Sequence, residues 1–167
     1  MPTDFTSVFR VLLAARVRFI VVGGLAVLLH GIDRLTADMD LVVDLAPPAV
    51  GEAMAALLAA GFRPMAPVDA MEFADPAQRA AWKRDRGMEV FSLWDPTNRR
   101  PTVDVFLEPP IPFETLWNAS IEVKIGDLAI RLASIAHLIQ MKQATGRPKD
   151  LEDVTRLKAL ASRLGKL

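Results

Sequence analysis

The sequence contains no cysteine and only two histidines, His30 and His137. Disulfides, thiolate zinc sites, iron–sulfur clusters and a cysteine nucleophile are excluded, and a multi-histidine metal cage is disfavoured. Any metal must be held mainly by oxygen, which favours hard ions such as magnesium or manganese. Neither charge is in excess: 20 basic and 20 acidic side chains sum to zero, which argues against a strongly basic protein that coats nucleic acid. Residues 19–29 form an apolar run behind Arg10, Arg16 and Arg18. It is far short of the roughly 20 residues needed to span a bilayer. No small-residue cleavage site follows it, and Gly23-Gly24 splits it. The expected setting is cytoplasmic, with no membrane partner. There is no Gly-Lys-Ser/Thr P-loop and no dinucleotide fingerprint.

What is present is an ordinary globular composition, 167 residues that are 51% hydrophobic and 24% charged. The spacing of Phe5, Val8, Phe9, Leu12 and Leu13 predicts a helix over 4–15, capped by Thr3 or Asp4. A buried strand over 18–22, the Gly-Gly turn and a short helix over 25–29 follow, then a strand over 39–43. Pro47-Pro48 introduces a helix over 49–60, ended by Gly61. Residues 62–65 and 71–73 read as short strands and 76–83 as a helical turn. Strands over 88–94 and 102–107 form a hairpin through Asp95-Pro96-Thr97-Asn98. A second hairpin joins 121–124 to 128–130 at Gly126-Asp127, and helices over 134–144 and 148–164 close the chain. The predicted class is α/β (α+β): a mixed β-sheet flanked by helices, with a C-terminal helical pair. The expected organisation is a core over 1–131 and a helical extension over 132–167 packed on it as one compact unit.

The acidic residues carry the chemistry. Asp38 and Asp40 are two apart at the start of a strand, so their side chains share a face. Two adjacent carboxylates repel, and burying both is costly unless a cation neutralises them. Asp104, flanked by Val103 and Val105, lies on the face opposite its apolar neighbours. If its strand runs beside that of Asp38 and Asp40, the three carboxylates form the ligand set of a two-metal site, with ions about 3.5–4 Å apart, for phosphoryl or nucleotidyl transfer. Asp44 and Glu89 are weaker rivals; Asp44 fits a helix cap better. Gly23-Gly24, between strand and helix, offers bare amides to a phosphate, or simply makes a tight turn. Arg34 and Thr36 lie between the glycines and the acids. Arg34 is either a phosphate contact or a solvated loop residue, and His30 reads as structural. Near the end, Lys142, Arg147 and Lys149 crowd one inter-helix turn and suit β- and γ-phosphates. Asp150 and Asp153 either orient those cations or belong to a plain capped helix with surface ion pairs; Asp153 reads as structural.

These residues resemble the nucleotidyltransferase (polymerase β-like) superfamily, whose pattern is Gly-Gly or Gly-Ser, then Asp-x-Asp, then a lone strand aspartate. Gly24 stands where many members have serine, which removes one hydroxyl contact to phosphate. More narrowly, Gly23, Gly24, Ala26, His30, Gly31, Arg34, Thr36, Asp38, Asp40 and Leu41 are similar to the abortive-infection type, which includes the toxins of type IV toxin–antitoxin pairs. The tail pattern Lys142, Arg147, Lys149, Asp150, Asp153 is similar to that group's C-terminal motif. The resemblance implies a nucleotidyltransferase fold and transfer of a nucleoside monophosphate from an NTP, with Mg2+ or Mn2+, to an acceptor hydroxyl. RNA such as a tRNA 3′ end, or a protein, is the implied acceptor, and a cognate antitoxin an implied partner. Asp38, Asp40 and Asp104 are then the catalytic metal ligands, and Gly23, Gly24, Arg34, Thr36, Lys142, Arg147 and Lys149 the nucleotide contacts. The rival readings are a non-catalytic nucleotide- or partner-binding member of the same family, and a metal nuclease. The neutral total is also uneven. Residues 1–80 carry 6 basic and 9 acidic side chains, residues 81–167 carry 14 and 11. A carboxylate-bearing half thus precedes a basic one suited to phosphate or RNA.

Overall fold

The computed structural model describes residues 3–165. Its centre is a seven-stranded mixed sheet of order β3-β4-β5-β2-β1-β7-β6. The strands are β1 (Phe19–Val22), β2 (Asp38–Val43), β3 (Arg63–Pro64), β4 (Val90–Trp94), β5 (Thr102–Phe106), β6 (Ile121–Ile125) and β7 (Leu128–Leu132). β1 pairs antiparallel with β2 and parallel with β7. β2 pairs parallel with β5, and β5 antiparallel with β4. The two predicted hairpins are β4–β5 and β6–β7. The mixed sheet flanked by helices, with a C-terminal helical pair, is the architecture expected from the sequence.

β1 is buried at all four positions, as a central strand covered on both faces should be. The strands on one side of it alternate instead. Met39, Leu41, Phe91, Leu93, Val103 and Val105 point into the core, where Phe91 meets Trp82 and Phe73. Asp38, Asp40, Ser92, Asp104 and Phe106 point the other way. Helix α1 (Thr6–Ala14) contributes Val8, Phe9 and Leu12 to the core; its N-cap is Phe5 rather than Thr3 or Asp4, and the Asp4 carboxylate, one residue further out, accepts from the Ser7 amide. Helix α2 (Gly23–Leu29) begins at the first glycine, two residues earlier than expected. α3 (Ala49–Ala59) follows the proline pair.

Residues 71–73 are not a strand. They belong to a 3-10 helix over Ala70–Ala74, whose first turn is fixed by Asp69 accepting from the Met71 amide. The expected helical turn is a full helix, α4 (Pro76–Arg86), capped by Asp75 and stopped by Gly87 at φ +63°. Pro112 precedes an unpredicted α5 (Phe113–Ala119). The chain closes with α6 (Ile135–Thr145) and α7 (Pro148–Arg163), separated by Gly146 at φ +63°. Among the described residues no helix is long and apolar enough to cross a membrane.

Candidate active site

The register places Asp40 of β2 directly beside Asp104 of β5, and Asp104 directly beside Ser92 of β4. The condition set by the sequence, that the two aspartate strands be neighbours, is met. On the other side, Gly23 adopts φ +65° and packs onto Asp40; a Cβ there would lie 2.1 Å from Asp40 Oδ2. A side chain on Gly24 would press on Arg34 and Thr36 at 3.0–3.1 Å. Gly23 is therefore needed both for space and for its left-handed backbone, while Gly24 sits closely against two flexible side-chain ends.

A cavity of about 670 Å³ opens over this end of the sheet. Gly23, Gly24, Arg34, Thr36, Asp38, Asp40, Asp104, Lys142, Arg147 and Lys149, all the candidates from the sequence, line it. Burial pushes Asp40 up to about 6, reinforced by repulsion from Asp104 and Asp38 and opposed by Lys142 and Arg147. Asp104 is also raised, by burial first and by Asp38; against this, the Ser92 hydroxyl donates to its Oδ1 at 2.6 Å. Among the described residues none of the three carboxylates has an ion-pair partner. Nor do any three acidic or histidine side chains there close on a common point as a ready metal cage. The backbone thus gathers the three acids, but their side chains do not converge as fully as the sequence suggested. The donor set nonetheless fits a hard divalent cation: oxygen only, and short of positive charge.

The opposite wall is a buried ion network. Asp153 of α7 pairs with Arg34, from the loop before β2, and with Lys142 of α6 at 2.7 Å. Asp150 pairs with Lys142 at 3.5 Å and with Arg147 at 2.7 Å, and accepts from the Thr145 hydroxyl at 2.6 Å. Burial pulls Asp150 upward, but the Thr145 and Arg147 hydrogen bonds and the nearby cations outweigh it and hold it below the usual range. Two readings are corrected here. Arg34 is not a solvated loop residue, and the pairs of Asp150 and Asp153 with Lys142 and of Asp153 with Arg34 are not surface pairs, because Lys142, Asp150 and Asp153 are all buried; only Arg147, on Asp150, is exposed. Burial turns these acids into holders of the cavity's cations. Among the described residues Lys149 has no ion pair. His30 Nε2 bonds the Ala133 carbonyl at 2.8 Å, a structural tie. Asp44 accepts from the Ala46 amide and pairs with Arg18, away from the cavity. Glu89 lines an adjoining, more apolar pocket that shares Gly23, Asp40, Lys142, Arg147 and Asp150 with the cavity. Ser92 was missed, because its bond to Asp104 depends on strand register.

The fold and the clustering of acids, glycines and cations at one end of the sheet define a nucleotidyltransferase-type architecture. Solved structures carry the same fold at low identity. The solution structure of the antibiotic-resistance factor ANT(2'')-Ia is 18% identical with a TM-score of 0.59, covering 98% of this chain and 86% of that one. ANT(2'')-Ia in complex with adenylyl-2''-tobramycin is 19% identical, TM-score 0.56, with 95% and 90% covered. An antigenic nucleotidyltransferase-like protein from Paracoccidioides brasiliensis is 17% identical, TM-score 0.55, with 96% and 79% covered. No family model and no curated protein matches the chain.

Proposed function

We propose that the protein is a magnesium-dependent nucleotidyltransferase that moves a nucleoside monophosphate from an NTP to an acceptor hydroxyl. The observation that carries this is the pairing of Asp40 with Asp104 across neighbouring strands, in one cavity with Gly23, Gly24 and the Lys142 network. Asp38, Asp40 and Asp104 would hold Mg2+ or Mn2+. When bound, the metal would supply positive charge to the triphosphate and polarise the attacking hydroxyl. The acceptor oxygen bonds to the α-phosphorus, the bond from that phosphorus to the pyrophosphate bridging oxygen breaks, and pyrophosphate leaves. The hydroxyl proton passes to the Asp104 carboxylate, which the Ser92 hydroxyl orients at 2.6 Å. Gly23 and Gly24 let the phosphates approach the backbone, and Lys142, Arg147 and Lys149 meet the departing charge. Asp153 and Asp150 keep the cations aimed inward.

The residue patterns around Gly23–Leu41 and Lys142–Asp153 support the narrower reading of an abortive-infection toxin type with a cognate antitoxin. ANT(2'')-Ia, in its complex with adenylyl-2''-tobramycin, supports transfer onto a hydroxyl. Replacing both Asp38 and Asp40 with alanine should abolish labelling of an acceptor from α-labelled NTP while circular dichroism stays native. Undiminished transfer by that variant would overturn the mechanism.

A further inference from the structure

The sheet ends on β6, and that edge is open. β6 runs unbroken over Ile121–Ile125, with no proline and no bulge, paired residue for residue with β7. The opposite end of the sheet is blunted, since β3 has two residues and one of them is Pro64. In a hairpin with a two-residue turn, the residues flanking the turn exchange hydrogen bonds, and bonded pairs alternate with unbonded ones from there. Ile125, Val123 and Ile121 therefore bond to Leu128, Ile130 and Leu132. The amides and carbonyls of Glu122 and Lys124 point away from the sheet. Among the described residues no backbone hydrogen bond outside the β6–β7 ladder involves residues 121–125. Glu122 and Lys124 are exposed, and among the described residues neither has an ion pair. Ile121, Val123 and Ile125, on the other face, are half-buried.

We infer that this edge binds the same edge of a second copy of the chain, extending the sheet across a two-fold axis at Val123. The pattern Ile-Glu-Val-Lys-Ile is complementary to itself when run antiparallel. With Val123 opposite the second copy's Val123, Glu122 faces the other Lys124, Lys124 faces the other Glu122, and Ile121 faces the other Ile125. The hydrogen-bond pattern permits this register. Glu122 and Lys124 both turn their backbone groups outward, so each such pair exchanges both of its bonds, and Val123 takes the closely spaced unbonded position. Moving the axis by one residue sets Glu122 against Glu122 or Lys124 against Lys124, and like charges directly opposite are destabilising. Charge thus selects one register. A lysine on an edge guards it against stray pairing. Here the alternation of glutamate and lysine lifts that guard for a strand of matching sequence, while an unrelated strand would gain the backbone bonds without the matched charges. The edge is short, so the association is weak and reversible. No residue of β6 lines the carboxylate cavity, and the inference stands apart from the proposed transfer.

Sedimentation of the full chain over a concentration series tests it. The wild type should form a dimer with a micromolar Kd. Glu122→Lys or Lys124→Glu alone sets like charges opposite one another at both symmetric positions, and should weaken the dimer about 10- to 100-fold. The two variants mixed in equal amounts should associate again, because one then carries only lysine and the other only glutamate at the edge. Circular dichroism and the affinity for Mg-NTP should be unchanged in both. Disulfide trapping reads the register, and the chain has no cysteine of its own to confuse it. Val123→Cys should cross-link two copies on mild oxidation, since an unbonded antiparallel pair brings its Cα atoms to about 4.5 Å. Glu122→Cys should not, because its two copies are offset along the strands and lie roughly 8 Å apart. A wild type that stays monomeric to about 1 mM, single reversals that dimerise like the wild type, or a mixture that associates no better than its parts would each overturn the shared edge. Cross-linking through Glu122→Cys but not through Val123→Cys would overturn the register.

Discussion

The close packing of Gly23 on Asp40 gives a sharp stability and activity prediction. In Gly23→Ala the new Cβ would meet Asp40 Oδ2 at 2.1 Å, Cγ at 2.8 Å and Cβ at 2.9 Å. Rotating the carboxylate relieves the first contact but not the last, since no rotamer moves Asp40 Cβ. The start of β2 must therefore shift away from α2. Holding alanine at φ +65° costs about 1–2 kcal/mol, and forced overpacking adds about 1–3 kcal/mol. For a chain of this size each kcal/mol lowers Tm by about 2–4 °C, so a drop on the order of 5–15 °C is expected. Gly24→Ala is the control. Its nearest neighbours are the ends of the Arg34 and Thr36 side chains, at 3.0–3.1 Å, and these can give way. It should cost about 1 kcal/mol or less. The assay is thermal melting by circular dichroism, beside nucleotide transfer measured at a temperature where both variants are folded. Gly23→Ala should lose transfer while folded, because Asp40 has moved. A Gly23→Ala protein that melts like the wild type, or a Gly24→Ala protein that loses as much, would refute the reasoning.

Asp153→Asn should destabilise the fold by about 3–5 kcal/mol, because it leaves Arg34 without its ion pair and Lys142 with only the longer Asp150 contact; denaturant unfolding measures it, and NTP affinity should fall with it. Ser92→Ala should lower kcat about 10- to 100-fold by freeing Asp104 from its hydroxyl bond, with KM for NTP nearly unchanged and Ser92→Thr restoring most of the rate. Asp95 is held well below the usual carboxylate range, chiefly by Arg100 and also by the Thr97 hydroxyl and amide, against the effect of burial. A depressed native pKa gives stability that is present above the unfolded value of about 4 and lost as pH falls toward the native one. Melts between pH 5 and pH 2 (roughly the acid-unfolding window) should therefore show a decline that is blunted in Asp95→Asn.

Much of the site could be read directly from the chain, because its signals are local. The two-residue strand period puts Asp38 and Asp40 on one face wherever the strand lies, and Gly23-Gly24 needs only its strand-to-helix setting. What was hidden depends on pairing between distant elements. Ser92 meets Asp104 only through the β4–β5 register, and Arg34 meets Asp153 only because α7 returns to the loop before β2. The run at 71–73 misled because Met71-Glu72-Phe73 alternates as a strand would but is short enough to suit a helical turn equally, and the Asp69 cap decides. Trp94 had the right alternation for a strand, but its 38% exposure depends on the tertiary packing around β4.

The most direct test of the central claim is to incubate total RNA with each α-labelled NTP and magnesium, comparing wild type with Asp104→Asn. The account predicts that the wild type adds nucleotide to RNA 3′ ends, seen as label and as a matching mass gain, with pyrophosphate released in equal amount. Asp104→Asn should be silent while binding NTP normally. Undiminished labelling by Asp104→Asn, or NTP consumption by the wild type with no nucleotide gained on any acceptor, would contradict it.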